Sequence, residues 1–563
     1  MSAGAGRPAR HPLGSKNAAL AALCLGALIL NVDTTIVTVA LPDLVRQTGA
    51  TTTDLQWVVD AYSLAFGALV LAAGSLSDRL GRKGMLLAGI AVFGAASVAG
   101  SQAGSAAGLI GARAAMGVGA AMIYPSTLSL ITSVFTGRRE RAWAIGLWGA
   151  CAGTGVAVGP IAGGWLLERF WWGSIFAAMA VLAVVVAVGV AAAVPTSRDP
   201  ATPPVDRRGL VLSAAGMGVL VFGVIEAPGW GWTSGSTAAV IAAGVAVLAI
   251  MAVAESRTAH PMIDVSLFRN PRFTAACGAV AMALFALLGF IFLMTQYFQV
   301  VKSYSPLSTG VRLLPLAAAV MVTSVAGTRL AVRVGNKVII STGLALFGLA
   351  MFWTSRESQA TPYAIMVAQE VILGAGLGLT QAPTADEALS AVPVEKVGLA
   401  SAINGSTRLF GGTLGVAVIG SVASSLYASR LLGTLPPGLP ASVVATAKGS
   451  VGGAALAARQ LRAAGAHSAA RGLDAAAVQA FLHGLAYGCA VAGGVAAVGF
   501  VVAVVALPGR PRADLTSANR GVSTTFMLDQ AANRDGIESS GTHPGQQHPS
   551  ALVVTSRKLI IDR

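Results

Sequence analysis

Charge is scarce in this chain of 563 residues: only 11% are Asp, Glu, Lys or Arg, against roughly 25% in an ordinary soluble domain. That shortage excludes a fully solvated surface, and with 55% hydrophobic residues and a mean hydropathy of +0.72 it implies a polytopic membrane protein. Cysteine is nearly absent as well. Cys24, Cys151, Cys277 and Cys489 lie in apolar stretches without CxxC spacing, which excludes a thiolate metal centre and a disulfide framework and leaves four small core residues. The six His show no metal-ligand spacing and there is no Walker A sequence, so neither a metal centre nor an ATP site is legible, no cofactor is expected and no enzyme chemistry stands out. Lys is rare too, with seven residues, and the excess of Arg, Ala and Gly is what a high-GC bacterial gene produces.

What is present is apolar length. A bilayer core of about 30 Å takes about 20 apolar residues per helix, and fourteen stretches reach that length, from 18–42 and 55–76 through to 398–426 and 480–507. The net charge of +15 is dealt out between them rather than gathered on one surface, which argues against nucleic acid. Alternate short loops carry Arg79, Arg82 and Lys83, then Arg138, Arg139 and Arg141, then Arg329, Arg333 and Lys337, whereas the opposite loops offer little beyond Arg46, Arg169, Lys302 and Arg356. Basic loops stay in the cytoplasm, so that side, with both termini, is expected to be cytoplasmic. The expected organisation is a cytoplasmic tail at 1–17, a six-helix bundle at 18–194, an inserted helix pair at 208–254, a second six-helix bundle at 272–507 with a long external loop near 427–479, and a disordered cytoplasmic tail at 508–563.

The two bundles are read from an internal repeat. Leu76, Arg79, Gly81 and Lys83, in the loop after the second span, recur as Leu330, Arg333, Gly335 and Lys337 after the tenth, and Arg113, Gly117 and Gly119 recur in spacing as Glu370, Gly374 and Gly376. The matching loops are eight spans apart, so two spans are inserted between halves of six. Internal repeats of this kind are the signature of secondary transporters, with the substrate site between the halves.

Against this background Asp33, in "NVDTTIVTVALP", is an expensive residue: a carboxylate at the centre of a membrane helix costs roughly 2.5 to 3.5 kcal/mol on insertion scales, so it needs a partner or a task. Arg113 is a buried cation that stays charged at every relevant pH and so can act on a carboxylate or hold a water but cannot itself carry a proton. Asp60 either lines a pathway for a proton or cation or sits exposed at the water interface, Glu226 lies at the outer end of the seventh span, and Glu370 stands where the repeat has Arg113.

Four motifs resemble the major facilitator superfamily and, within it, the fourteen-helix drug:proton antiporter branch, over about 20 to 507. "NVDTTIVTVALP" is similar to the branch's first-helix signature, with Asp33 at its acidic position; "GSLSDRLGRKG" from Gly74, with Asp78, Arg79, Gly81 and Arg82, is similar to the loop between helices two and three; and "RAAMGVGAA" from Arg113 resembles the helix-four motif. "GVAVGPIAGG", with Gly155, Gly159, Pro160, Gly163 and Gly164, matches the antiporter motif G-x-x-x-G-P-x-x-G-G at every fixed position. "GLASAINGSTRLFGGTLGVAV", with Asn404 and Arg408, also resembles the branch's thirteenth helix, with Leu409 where relatives commonly have Gln.

The resemblance implies an all-α fold of about fourteen membrane helices and a monomer that exports a small, mostly apolar drug or antibiotic against protons by alternating access, giving resistance. On this reading Asp33 carries the proton, contacts a cationic substrate or does both in turn, Asp78 bridges helix ends as the halves rock, and the glycines of the antiporter motif let a neighbouring helix approach while Pro160 bends its own. Val332 stands where the repeat has Asp78, so that latch is expected in one half only. Two other readings stay open on the sequence: transport of a native metabolite on the same scaffold, and a membrane sensor that retains the fold.

Overall fold

Apolar runs broken by Gly, Pro and capping residues give an all-helical chain. The computed structural model describes residues 13–197, 206–258, 261, 263–393 and 396–508, so most of the expected tail at 1–17 and nearly all of that at 508–563 lie outside the described residues. The first six helices are α1 (Leu13–Thr48), α2 (Thr52–Leu80), α3 (Arg82–Ser101), α4 (Ala106–Val134), α5 (Arg138–Arg169) and α6 (Ser174–Ala193), followed by the pair α7 (Arg207–Trp230) and α8 (Gly235–Glu255). Then come α9 (Pro271–Gln296), α10 (Pro306–Arg312), α11 (Leu314–Val334), α12 (Asn336–Thr354), α13 (Tyr363–Ser390), α14 (Val397–Leu432), α15 (Ala441–Gly449), α16 (Val451–Ala463) and α17 (His467–Ala506). Fourteen helical segments are long and apolar enough to cross a membrane, with α10 and α11 together making one of them, and no strand occurs among the described residues.

Local chemistry sets the breaks. Thr51 and Asp54 form a reciprocal capping box at the start of α2, and Asn270 caps α9 ahead of Pro271. The α2–α3 and α11–α12 turns each pivot on a glycine with positive φ, Gly81 at 122° and Gly335 at 90°, a conformation that side-chain-bearing residues rarely adopt.

The repeat is visible in the packing. A Cβ on Gly119 of α4 would lie 2.7 Å from both the Gly89 oxygen and the Phe93 nitrogen of α3; on Gly376 of α13 it would lie 2.6 Å from the Gly343 oxygen and 2.7 Å from the Phe347 nitrogen of α12. Gly117 likewise meets Tyr62 and Ala65 of α2, as Gly374 meets Leu316 and Ala319 of α11. Gly89 and Gly343, Phe93 and Phe347, Tyr62 and Leu316 are displaced by the same number of positions as the loop residues Arg79 and Arg333. Between hydrocarbon-embedded helices there is little hydrophobic drive, so such glycine contacts, which let backbones close, carry the association.

One feature differs from the sequence reading, and one is beyond its reach. The segment 427–479, expected as a long loop, is mostly helix: α14 runs on to Leu432, α15 and α16 follow, and α17 begins at His467. Its alanine-rich stretches favour helix, Ser450 caps α16, and α16 buries Val451, Ala454, Ala457, Ala458 and Leu461. The inserted pair is also asymmetric. α7 packs on both α2 and α14, with Met217, Val221, Val224 and Ile225 buried against Trp57 and Leu64 on one side and Phe410, Leu414 and Ala417 on the other, while α8 packs mainly on α7.

Candidate functional site

Asp33 lies past the middle of α1, and its partner comes from α4. Arg113 donates from Nη1 to Asp33 Oδ2 at 2.6 Å and from Nε to the Val58 carbonyl of α2 at 2.9 Å, and its guanidinium lies 4.4 Å from the centre of the Tyr62 ring. Asp33 is fully buried and Arg113 is 1% exposed. One buried cation thus ties three helices together, and the sequence reading named both members without pairing them. A guanidinium suits the place because it stays ionised and can bond a carboxylate, a carbonyl and a ring face at once. Removing one member of such a buried pair costs about 3 to 5 kcal/mol, because the other is left charged and unpaired. Oδ1 of Asp33 has no hydrogen-bond partner among the described residues, so the carboxylate retains a free acceptor.

The other carboxylates go elsewhere. Asp60 is fully buried rather than exposed at the water interface, and neither of its oxygens has a hydrogen-bond partner among the described residues. On its stripe of α2, Gln56 donates to the Val416 and Ala417 carbonyls and to Ser421 Oγ of α14 at 2.9 to 3.1 Å, and Gly67 abuts Leu409 and Phe410. Helical spacing places Asp60 between them on the α2–α14 seam, where the two halves meet. Glu370 is 1% exposed and in no ion pair among the described residues. Glu226 is not brought to the Asp33–Arg113 pair; it accepts from Trp57 Nε1 at 3.4 Å near the C-terminal end of α7.

The motif glycines fall at two interfaces. Gly155, Gly159 and Gly163 of α5 seat on the α1 backbone around Leu28, Val32 and Ile36, and α14 uses Gly411 and Gly415 to seat on Ala281 and Phe285 of α9. Gly164 instead meets the backbone of Leu307, and Pro160 meets Gly310, so this end of α5 closes on α10 of the other half. Gly74 packs on Pro125 of α4. Asp78 bonds Arg82 Nε at 2.6 Å across the α2–α3 turn, and Arg82 Nη1 reaches Ser197 Oγ at 3.1 Å beyond α6; Arg79, at the end of α2, is in none of the ion pairs among the described residues. Asn404 donates to Cys277 Sγ at 3.9 Å, and Arg408 to Gln381 Oε1 at 2.9 Å, bonds that hold α14 to α9 and α13.

Besides the α2–α14 seam, hydrogen bonds join the halves at the end away from the basic turns. Gln299 Nε2 donates to the Val39 carbonyl at 2.7 Å and Thr52 Oγ1 to the Gly449 carbonyl at 3.1 Å, beside the α5–α10 closure. Toward the basic end α5 and α11 expose apolar side chains, among them Trp143 at 59% and Val332 at 79%.

A model of the Major Facilitator Superfamily matches residues 23–416. The chain belongs to that superfamily. The first-helix, loop and helix-four motifs and the antiporter motif all fall inside the matched residues. Among the superfamily's curated members the chain is 36% identical over 447 residues to the multidrug efflux pump LfrA of Mycolicibacterium smegmatis, covering 79% of this chain and 88% of that one. It is 31% identical over 435 residues to the methyl viologen resistance protein SmvA of Salmonella typhimurium (76% and 86% covered), and 30% identical over 413 residues to the tetracenomycin C resistance and export protein of Streptomyces glaucescens (72% and 76%). The fold matches the crystal structure of a bacterial homologue of the human lysosomal transporter Spinster with a TM-score of 0.63 at 15% identity, covering 89% of this chain and 99% of that one. The superfamily's fold and the fourteen apolar helices make this a multi-pass membrane protein.

Proposed function

We propose that the protein exports a small, mostly apolar drug or antibiotic across the cytoplasmic membrane in exchange for protons, by alternating access, and so confers resistance. The observation that carries this reading is the fully buried Asp33–Arg113 pair in a chain whose relatives are named for drug efflux and resistance. Protonating Asp33 removes the charge that holds Arg113, which frees the α1–α4–α2 junction; losing the proton restores it. With the basic end in the cytoplasm, the closure of α5 on α10 is at the outer face, and on this reading the exposed apolar stretches of α5 and α11 are the parts that would part toward the inside. One proton moving down roughly 100 mV supplies about 2.3 kcal/mol, which sustains about a 40-fold gradient of a neutral substrate. No cofactor enters the cycle.

The test is export from proteoliposomes containing the purified chain, with a panel of antibiotics and an imposed proton gradient, alongside resistance of cells with and without the gene. Export that persists after the gradient is collapsed overturns the coupling; a gradient-driven flux of native metabolites with no drug in the panel moved favours the native-metabolite reading.

A further inference from the structure

The outer end of α7 carries a cluster that the Asp33–Arg113 mechanism does not use. Trp57 of α2, Phe222 and Trp230 stand in a row, with ring centres 6.0 Å and 5.5 Å apart, and Glu226 lies beside them, held by Trp57 Nε1. Phe222 and Trp230 are about two-fifths exposed and face outward, so the row is reachable from the membrane. Trp232 Nε1 donates to Ser425 Oγ at 2.9 Å, which pins the turn after α7 to α14 and fixes the row in place.

The electrostatics there are one-sided. A carboxylate in the last turns of a helix sits on the negative end of the helix dipole, where a cation is favoured. The last turn of α7 has no basic residue, and Pro228, lacking an N–H, leaves the Val224 carbonyl without its helical donor. Residues 52–78 of α2 and 409–429 of α14, the stretches packed here, contain no Lys or Arg, and Glu226 takes part in none of the ion pairs among the described residues. A carboxylate in no ion pair among the described residues, at the negative end of a helix and beside a row of partly exposed aromatic rings, is the pattern that binds a weakly hydrated organic cation.

We propose that Trp57, Phe222, Glu226 and Trp230 form a binding site for a monovalent organic ammonium cation at the outer edge of the α2–α7–α14 junction. The inserted helix pair then supplies a ligand site as well as covering the seam. Two sources offer this chemistry, the amine headgroup of a phospholipid and a free lipophilic cation. The site lies apart from the central pair and stands whether or not export is proton-driven.

The test uses the full chain labelled with 5-fluorotryptophan, in nanodiscs of phosphatidylglycerol, titrated with tetraethylammonium and followed by fluorine NMR. The Trp57 and Trp230 resonances are assigned with Trp57→Phe and Trp230→Phe. These two resonances are expected to shift saturably, with half-saturation raised about tenfold by Glu226→Gln and severalfold by Phe222→Leu, as loss of an ion pair or a ring face dictates. The remaining Trp resonances report whether each variant is folded, and Glu226→Asp, which keeps the charge, retains binding. Repeating the titration in phosphatidylcholine nanodiscs separates the sources: weakened binding assigns the site to a headgroup, unchanged binding to a free cation. No saturable shift in the unmodified chain, or a Glu226→Gln protein that titrates like it, overturns the proposal.

Discussion

The two halves are built on one plan and charged differently. In the first, α5 seats on the α1 backbone at Leu28 and Val32; in the second, α14 seats on the α9 backbone at Ala281 and Phe285, a register that sets Ala286 opposite Asp33. The repeat sets Glu370 where the first half has Arg113. One half therefore holds a closed ion pair, the other a buried carboxyl in no ion pair among the described residues. The turns diverge in the same way: Asp78 holds Arg82 in the first half, whereas the equivalent Asn336 is held at 3.1 Å by Asp386 and at 2.8 Å by Glu387 of α13. Shared glycine contacts keep the backbones superimposable while the polar residues are free to diverge. On the proposed proton-coupled reading only one half has to titrate, and that role falls to the first, which holds the ion pair.

The largest expected effect tests this contrast directly. Asp33→Asn should reduce gradient-driven export in proteoliposomes to background while the protein still reaches the membrane, and Glu370→Gln should stay within about threefold of the parent. Full transport by the first, or complete loss in the second, breaks the assignment. Next comes the closure between halves. An alanine at Gly164 would drive its Cβ into the backbone of Leu307, so Gly164→Ala should open the α5–α10 end and cut export by about tenfold. Spin-label distances across that end should lengthen; unchanged distances would make the glycine dispensable to the closure.

Stability sharpens the same comparison at smaller scale. Asp33→Asn strands a buried guanidinium and should lower thermal stability in detergent, whereas Glu370→Gln removes an unpaired buried carboxyl and should raise it by about 1 to 2 kcal/mol. Opposite signs are the expected result, and equal destabilisation would show that Glu370 has a partner in solution. The smallest effect is in the loops joining the second half at the basic end, where Lys396 Nζ lies 2.6 Å from Asp264 Oδ2 and holds that carboxyl below its usual range. Because the folded pKa is depressed, the pair's contribution is complete above the ordinary carboxylate value and is lost as pH falls through the lowered one. With Lys396 partly exposed the contribution is at most about 1 kcal/mol, so Asp264→Asn should flatten the acid limb of a thermal-stability profile and leave export unchanged.

Much of the plan was legible in the chain. Fourteen apolar runs of bilayer length could only be membrane helices, and Gly81 and Gly335 marked equivalent turns because a tight helix-to-helix reversal needs their backbone freedom. Arg113 and Glu370 were recognisable as equivalent positions from glycine spacing alone. Less was legible wherever a residue's meaning depended on a distant helix. Asp60 read equally well as lining a pathway or as water-exposed, since its neighbours in sequence do not say that α2 buries this stripe along α14. The segment 427–479 read as a loop because its helices are short, alanine-rich and without a bilayer-length run, and only their packing on α17 and α1 gives them a buried face.

The sequence by itself determined the number of spans, their likeness in two halves and the scarcity of buried charge, because hydrophobic length and glycine spacing act locally along a helix. Tertiary structure alone decided that Asp33 meets Arg113, eighty residues away, that Glu370 is in no ion pair among the described residues, and that α7 lies on the α2–α14 seam with Glu226 beside aromatic rings. The physical reason is that helical periodicity fixes which side chains share a face, while the helix that covers that face is chosen by close packing of glycine-rich surfaces far apart in the chain.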